Sequence, residues 1–480
     1  APAEIESEIL EPQEEVLKNV QGLTRMESKA STDSGSITLE FEVESSQDEE
    51  RTDAEAERGQ QQDQQRAAPR ARAKSVIFLY LRGGLSHIDT FDPKPGRPEM
   101  GGVRAIGTSA DGVQVSEWFP RMARQMHHVS LVRSMTSTQG IHELGTYSAH
   151  TSHFMTPTIR HPSLGSWAAK LLGSQNRFLP GNVLINGSPQ HPGSGYFPAH
   201  LAPLPIVDPG AALQNSVLPA AVSEADFNRR AALARAIGSH FVQQTPHRDA
   251  AAYLKVQQEA AALMKSEDLK VFDITREDAK TQAAYGAHTF GKGCLLARRL
   301  VEAGVRFIEV EDDQNWDTHN DQIKSMRLMT PSVDQTMSAL LEDLHHRGLL
   351  ASTLVVMATE FGRTPQISTV TAGRGHHPGV FTWWLAGGGV KGGYVHGQSD
   401  AIGEHVAENP VTMPDLNATV AMALGMDVGH IEHSPSGRPF TVADKGQPVT
   451  ALFAYVRPLH VPSPCTATLN PFARCSAPWS

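Results

Sequence analysis

The sequence predicts an α/β fold with a mainly parallel central sheet and helices on both faces. Three observations carry that expectation. Its short apolar runs are unbroken rather than alternating, as strands buried on both faces require. They are interleaved with longer segments of helical period, the order that wraps a parallel sheet. Several runs also end in clusters of Gly, Asp, His or Glu, where an open parallel sheet presents its ligand sites.

Val76-Ile77-Phe78-Leu79-Tyr80-Leu81, closed by Gly83-Gly84, reads as the first buried strand, and Val129 to Val132 as the second. Gly291 to Ala303 has helical spacing through Leu295, Leu296, Arg299 and Leu300. Gly304 stops that helix, and Val305 to Val310 follows as a strand. Thr330-Pro331 opens a helix with Val333, Met337, Leu340, Leu341 and Leu344 on one face. Gly348 ends it, and Thr353 to Ala358 forms the next strand. Phe381 to Ala386 is a further strand, and Pro414 to Leu424 a further helix.

Three segments differ from this grammar. Residues 1–73 are acidic and Gln-rich with few aromatics, so they bury too little apolar area to offset chain entropy; a mostly disordered segment is expected. Within it, Ile9 to Val20 has the pattern of a short amphipathic helix. Residues 74–449 form the main domain, with a Pro/Gly-rich surface excursion at about 180–220 and an Ala-rich helical insertion at about 223–270. Residues 450–480 are a Pro/Ser-rich irregular tail.

Composition narrows the function classes. With 480 residues, 40% hydrophobic, the chain can build a substantial core. A net charge of −10 argues against a general nucleic-acid binder, which needs a basic face to collect phosphates. No apolar stretch approaches the roughly 18 residues of a membrane span. Three cysteines are too few for a disulfide framework: Cys294 sits in a helical core pattern, and Cys465 and Cys475 are spaced for a short loop that nothing requires to be closed. The chain opens at Ala1 with no basic-then-apolar leader, which suits a processed form, a fragment, or a protein exported by signals no longer present.

The 22 histidines are the unusual feature, because many fall in short polar clusters. After the first strand come His87 and Asp89; after the Val305 strand, Asp317 and His319; after the Thr353 strand, Glu360 and Arg363; and before the Phe381 strand, His376 and His377. A single His-x-Asp is more often a surface pair than a metal site. Four clusters at equivalent strand ends point to one shared cation. Imidazole with carboxylate suits Zn or Mn, and carboxylate-rich sites also suit Mg or Ca. Arg363 either neutralises an anionic ester oxygen or pairs with a carboxylate. Arg374 is placed to hold the Gly373 to His377 loop. Arg133 to Glu143 leads from the second strand into a helix, whose N-terminus favours anions; Thr136, Ser137, Thr138 and His142 are its candidate reactive groups.

Leu81 to Pro95, Ala297 to Phe307, Trp316-Asp317-Thr318-His319 and Glu360-Phe361-Gly362-Arg363-Thr364-Pro365 resemble, in that order, a family of sulfatase-like bacterial proteins, domain of unknown function 1501. That resemblance implies an alkaline phosphatase-like fold from the alkaline phosphatase/sulfatase superfamily. It also implies a divalent metal, an anionic ester substrate such as a sulfated glycan, and export from the cell. It places metal ligands at Asp317, His319, Glu360 and at His376 or His377, with His87 and Asp89 substituting for a first-strand carboxylate. The superfamily nucleophile falls near Thr138 to Glu143, where His142 stands. Two departures bear on activity: Phe361 occupies a position that is usually a ligand, and Gly83-Gly84 replaces the first-strand acid. The expected function is therefore hydrolysis of sulfate or phosphate esters, against a non-catalytic member of the fold that binds a glycan or protein. A serine-triad hydrolase is disfavoured, since no Gly-x-Ser-x-Gly elbow lies beside a strand.

Overall fold

The computed structural model describes residues 23–30, 35–41, 73–244 and 248–454. Two compact units divide the chain, 1–68 and 69–480. In the first, strands β1 (Leu23–Ala30) and β2 (Gly35–Phe41) pair antiparallel. The composition of this segment led to an expectation of little regular structure. Period-2 spacing of Ile37, Leu39 and Phe41 supplies the strand signal that the acidic average obscures. The expected helix at Ile9 to Val20 lies outside the described residues, as do Cys465, Cys475 and the tail beyond 454.

The second unit is built on a mixed, mostly parallel sheet of nine strands among the described residues. In chain order its members include β3 (Ser75–Tyr80), β4 (Val129–Thr136), β5 (Asn182–Ile185), β6 (Leu204–Ile206), β7 (Phe307–Glu311) and β8 (Thr353–Ala358). Strand β3 is central, parallel to β8 on one side and to β7 on the other. Strands β5 and β6 continue the parallel half beyond β7. The strand Phe381–Gly387 is the exception, running antiparallel between β8 and β4. All five interior strands expected from sequence are present.

Both faces are covered. Alternate residues of each strand point to opposite faces. Ile77, Leu79, Ile308, Val310, Val355 and Met357 join one core with the helices Thr289–Glu302 and Gln322–His346. Val76, Phe78, Tyr80, Phe307, Val356 and Trp383 join the other, with Leu164–Leu172 and Met413–Leu424. The free thiol of Cys294 is buried in the first core, as expected.

Two local readings differ. The stretch at 180–220 contains β5 and β6, so it is an edge of the sheet as well as a surface excursion. The helix expected to open at Thr330-Pro331 begins at Gln322, with Pro331 inside it. Proline is tolerated there because Pro331 and Arg327 lie on the exposed face, where the Arg327 carbonyl that loses a partner reaches water. The Ala-rich insertion is described as the helices Glu224–Gln244 and Arg248–Leu263. No described helix is long and apolar enough to cross a membrane.

Candidate metal centre at the sheet rim

The carboxyl ends of β3, β4, β7 and β8 open on one rim, joined there by the start of the reversed strand Phe381–Gly387. Beyond β7, the chain turns so that the buried indole of Trp316 donates to Asp312 (3.0 Å) and its amide donates to the Arg82 carbonyl (2.9 Å). This pins the next residue, Asp317, against the loop after β3. Gly83 makes the approach feasible: its φ is +109°, and a Cβ there would lie 2.5–2.6 Å from Asn315 Oδ1 and the amides of Trp316 and Asp317.

Three imidazoles converge on Asp317 Oδ1. The Nε2 atoms of His319, His376 and His142 lie 3.0, 3.2 and 3.3 Å from it. His319 Nε2 and His376 Nε2 are themselves 2.9 Å apart. His142 is the first residue of the helix α1 (His142–Thr151), and His376 comes from a two-residue strand pairing with Gly362–Arg363. Arg363 Nη2 donates to the same Asp317 oxygen at 2.5 Å. Burial works to raise the Asp317 carboxyl, but Arg363 and the histidines overcome it and hold it down at about 2.

The tautomers are set from behind. His376 Nδ1 donates to the Gly140 carbonyl (2.7 Å), and His142 Nδ1 donates to Glu360 Oε1 (2.6 Å). With Nδ1 held as the donor, each ring when neutral has a bare Nε2, the form in which imidazole binds metal; without a cation, the contact to the Asp317 carboxylate requires a proton on Nε2 as well. Glu360 is fully buried and fully engaged. Its Oε1 also accepts from the Gly83 amide (2.8 Å), while Oε2 accepts from the Tyr80 hydroxyl (3.0 Å) and the Thr359 hydroxyl (3.3 Å). Burial opposes the charged form of His142, but the Glu360 contact outweighs it and raises the ring's pKa. His142, Asp317 and His376 thus fit a divalent cation, with His319 beside them.

Of the residues singled out in the sequence, the structure brings together His142, Asp317, His319, Glu360, Arg363 and His376. Four others stand apart. Asp89 is buried in an ion pair with Arg374 (2.8 Å) and accepts from Gln322 and Ser86, so its oxygens are committed. That pair is also how Arg374 anchors its loop. His87 Nε2 donates to the Gly403 carbonyl and His377 Nε2 to the Glu404 carbonyl, the two rings stacking 6.4 Å apart. Thr138 is exposed, accepting from the side chain of its neighbour Gln139. Arg363 has its donors taken by the Gly84, Gly83 and Arg374 carbonyls as well as Asp317. This is the pairing role: four of its five N–H groups are engaged, and the remaining Nη1 N–H faces His319 Nε2 at 3.5 Å. Phe361 is buried against the rings of His376 (4.6 Å between centroids) and His142 (4.9 Å).

With this rim in view, comparison with known proteins decides the family. Residues 73–453 match the family described as protein of unknown function DUF1501. The chain belongs to the DUF1501 family. No curated protein matches it. Among solved structures, this DUF1501 member is similar in part to a lipoteichoic acid synthase, LtaP, from Listeria monocytogenes. The likeness is 10% identity over 79% of this chain and 76% of that one, with TM-score 0.38. It is similar also to the PsFucS1 sulfatase from Pseudoalteromonas sp., at 14% identity over 84% and 77%, TM-score 0.35. A third is the alkaline phosphatase of the Antarctic bacterium TAB5, at 12% identity over 66% and 92%, TM-score 0.29.

A second group of the same chemistry, His150, His191 and Glu309, lies buried beneath the rim. Sequence reasoning passed over it. Its signal was present: Glu309 and Glu311 interrupt an otherwise apolar buried strand, where carboxylates are rare unless paired.

Proposed function

We propose that this protein is a metal-dependent hydrolase of sulfate or phosphate esters, working at the sheet rim. The observation that supports it is the convergence of His142, His319 and His376 Nε2 on one carboxylate oxygen, with two of the rings held by their Nδ1 protons. In this reading His142, Asp317 and His376 hold the cation, and His319 stands at the open side. A nitrogen-rich set of this kind favours Zn or Mn over Ca or Mg. When bound, the cation supplies Lewis acidity toward an ester oxygen and lowers the pKa of water.

The chain's own residues do the rest. Glu360 keeps the His142 ring in its metal-ready tautomer. Arg363 fixes the rotamer of Asp317 and offsets its charge. Phe361 excludes water from one flank. His319, whose side chain is 47% exposed, is the ring that meets substrate, and it exchanges a proton at Nε2 with the leaving oxygen. Of the hydroxyls the sequence offered, Ser137 accepts from the Gln139 amide and Thr138 from the Gln139 side chain. The attacking group in this reading is water, and an anionic ester such as a sulfated glycan is the substrate class. Family resemblance supports export.

His319→Ala is the test. Purified protein is assayed for bound metal and for nitrophenol release from aryl sulfate and aryl phosphate. The expectation is bound divalent metal and an activity that His319→Ala abolishes at little cost in stability. Metal-free protein, or an activity indifferent to the substitution, sinks the reading.

Phe361 favours a second reading: a non-catalytic member that binds an anionic glycan. A sulfated polysaccharide would then raise the thermal midpoint without losing sulfate.

A further inference from the structure

The buried group beneath the rim is built on one face of α1. His142, Thr146 and His150 recur at intervals of four, so the helix that delivers His142 to the rim places Thr146 one turn and His150 two turns deeper. His150 Nε2 lies 2.6 Å from Glu309 Oε1, and His191 Nε2 lies 3.3 Å from Glu309 Oε2. Glu311, two residues along the same strand and on the same face, has one oxygen occupied by the Ser188 amide (2.9 Å). Its other oxygen is buried with no hydrogen-bond partner. All four side chains are at least nine-tenths buried. Around them stand the Tyr80 ring, 4.5 Å from His150, and Phe78.

Charge balance makes this arrangement informative. Two carboxylates in an apolar pocket need two positive charges. His150 can carry one, since Nδ1 donates to the Thr146 carbonyl (2.7 Å) and Nε2 faces Glu309. His191 cannot readily carry the other. Its Nδ1 accepts from the Gly193 amide (3.0 Å), which requires that nitrogen to be bare. Unless Glu311 keeps its proton, as burial and the neighbouring Glu309 favour, the protein alone leaves one negative charge uncompensated. A divalent cation with both rings neutral leaves none.

We infer that His150, His191 and Glu309, with the unpartnered Glu311 carboxylate beside them, form a second, buried site for a divalent transition metal, Zn²⁺ by ligand type. Its ligand atoms are two imidazole Nε2 atoms and carboxylate oxygens. The second shell is already in place on His150, whose Nδ1–H is fixed by a backbone carbonyl. Two adjustments accompany filling. Tetrahedral ligands about 2.0–2.1 Å from zinc stand roughly 3.3 Å from one another, so the 2.6 Å contact opens. The His191 proton moves from Nε2 to Nδ1, and the Gly193 amide gives up its acceptor. Gly193 lies at φ +65° with nothing within 4 Å of where a Cβ would be, so the turn has room to move.

The site is joined to the rim by a short chain of contacts. His150 Nδ1 holds the Thr146 carbonyl, Thr146 Oγ1 is 2.9 Å from the Tyr80 hydroxyl, and that hydroxyl donates to Glu360, which orients His142. Filling the lower site fixes the carboxylate behind the upper one.

The inference stands apart from the proposed hydrolase, and its test is arranged accordingly. The full chain carrying Asp317→Asn and His376→Gln lacks the rim set but keeps the buried one. After chelation and dialysis, Zn²⁺ and Co²⁺ are titrated into it. The expected result is about one equivalent bound. Co²⁺ should show visible absorption of a tetrahedral site, the thermal midpoint should rise with Zn²⁺, and the His191 ¹⁵N signals should report the proton on Nδ1. Glu309→Gln in that background abolishes all four. Should that variant fail to fold, His191→Gln provides the same reading. A folded rim variant that takes up no metal overturns the inference, and so does one whose uptake survives both substitutions. Either result leaves the rim hypothesis to its own assay.

Discussion

One oxygen, Asp317 Oδ1, faces three imidazoles and a guanidinium. The residues behind it decide whether that crowding serves a cation. Glu360 has both oxygens occupied, so its influence passes through His142. Glu360→Gln keeps the shape and removes the charge; metal affinity at the rim should fall about 10–100-fold with the fold intact. Calorimetry on the folded variant checks this, and unchanged affinity would remove Glu360 from the site. Asp89 makes the opposite prediction. Because it pairs with a fully buried Arg374, Asp89→Asn should cost about 3–5 kcal/mol of stability while leaving metal content unchanged. Residue types and strand-end positions made both acids candidates in the sequence. What separates them is the partner each finds, and Arg374 lies 285 positions from Asp89. No local pattern encodes that choice.

At the scale of the element, the decisive pieces are short loops against regular strands. Gly83 allows the loop after β3 to touch the loop after β7, and α1 stacks His142, Thr146 and His150 along one side. Gly83→Ala places a methyl into backbone and forces a positive φ on a residue that avoids it. The expected loss is at least about 1–3 kcal/mol, together with the Asp317 geometry. A denaturant midpoint equal to the wild type would show that the loops are not locked together. The interior strands were legible because their apolar runs are unbroken and bounded by Gly or helix stops. Strands β5 and β6 were not, since four and three residues inside a Pro/Gly-rich stretch give periodicity nothing to act on. Pro331 misplaced a helix start because proline at a first turn and proline on a solvent face look alike in sequence.

Over the whole molecule, the parallel arrangement gathers strand ends from distant parts of the chain to one rim, and the clustering of polar residues after strands announced that much. It did not announce the buried histidines, which sit on separate elements. Their burial has a consequence for acid stability. His87 is enclosed, which lowers its pKa from about 6.5 to about 4. The unfolded chain then takes up the proton first as pH falls. Stability that His87 supplies above about pH 6.5 is lost progressively down to about pH 4, by up to about 3 kcal/mol. His161, lowered to about 4 by burial and by His153, acts in the same direction. His142, whose pKa is raised, acts in the other, so the His87 share is read as the difference between wild type and His87→Gln. Urea midpoints measured from pH 7 to 4.5 should converge for the two proteins as the medium is acidified. Parallel curves would mean that His87 takes up its proton alike in the folded and unfolded chains.

The reversed strand Phe381–Gly387 has one more effect, on how the protein is made. Because it enters the sheet from the rim, His376 is delivered just before the strand begins, and the backbone oxygen that orients it belongs to Gly140, 236 positions earlier. A ribosome that has released everything through Arg363 has not yet supplied the last candidate ligand. Any ion captured there during synthesis must therefore arrive after most of the sheet exists, and a nascent chain stalled before that point would offer a half-built mouth in which Asp317 lacks His376.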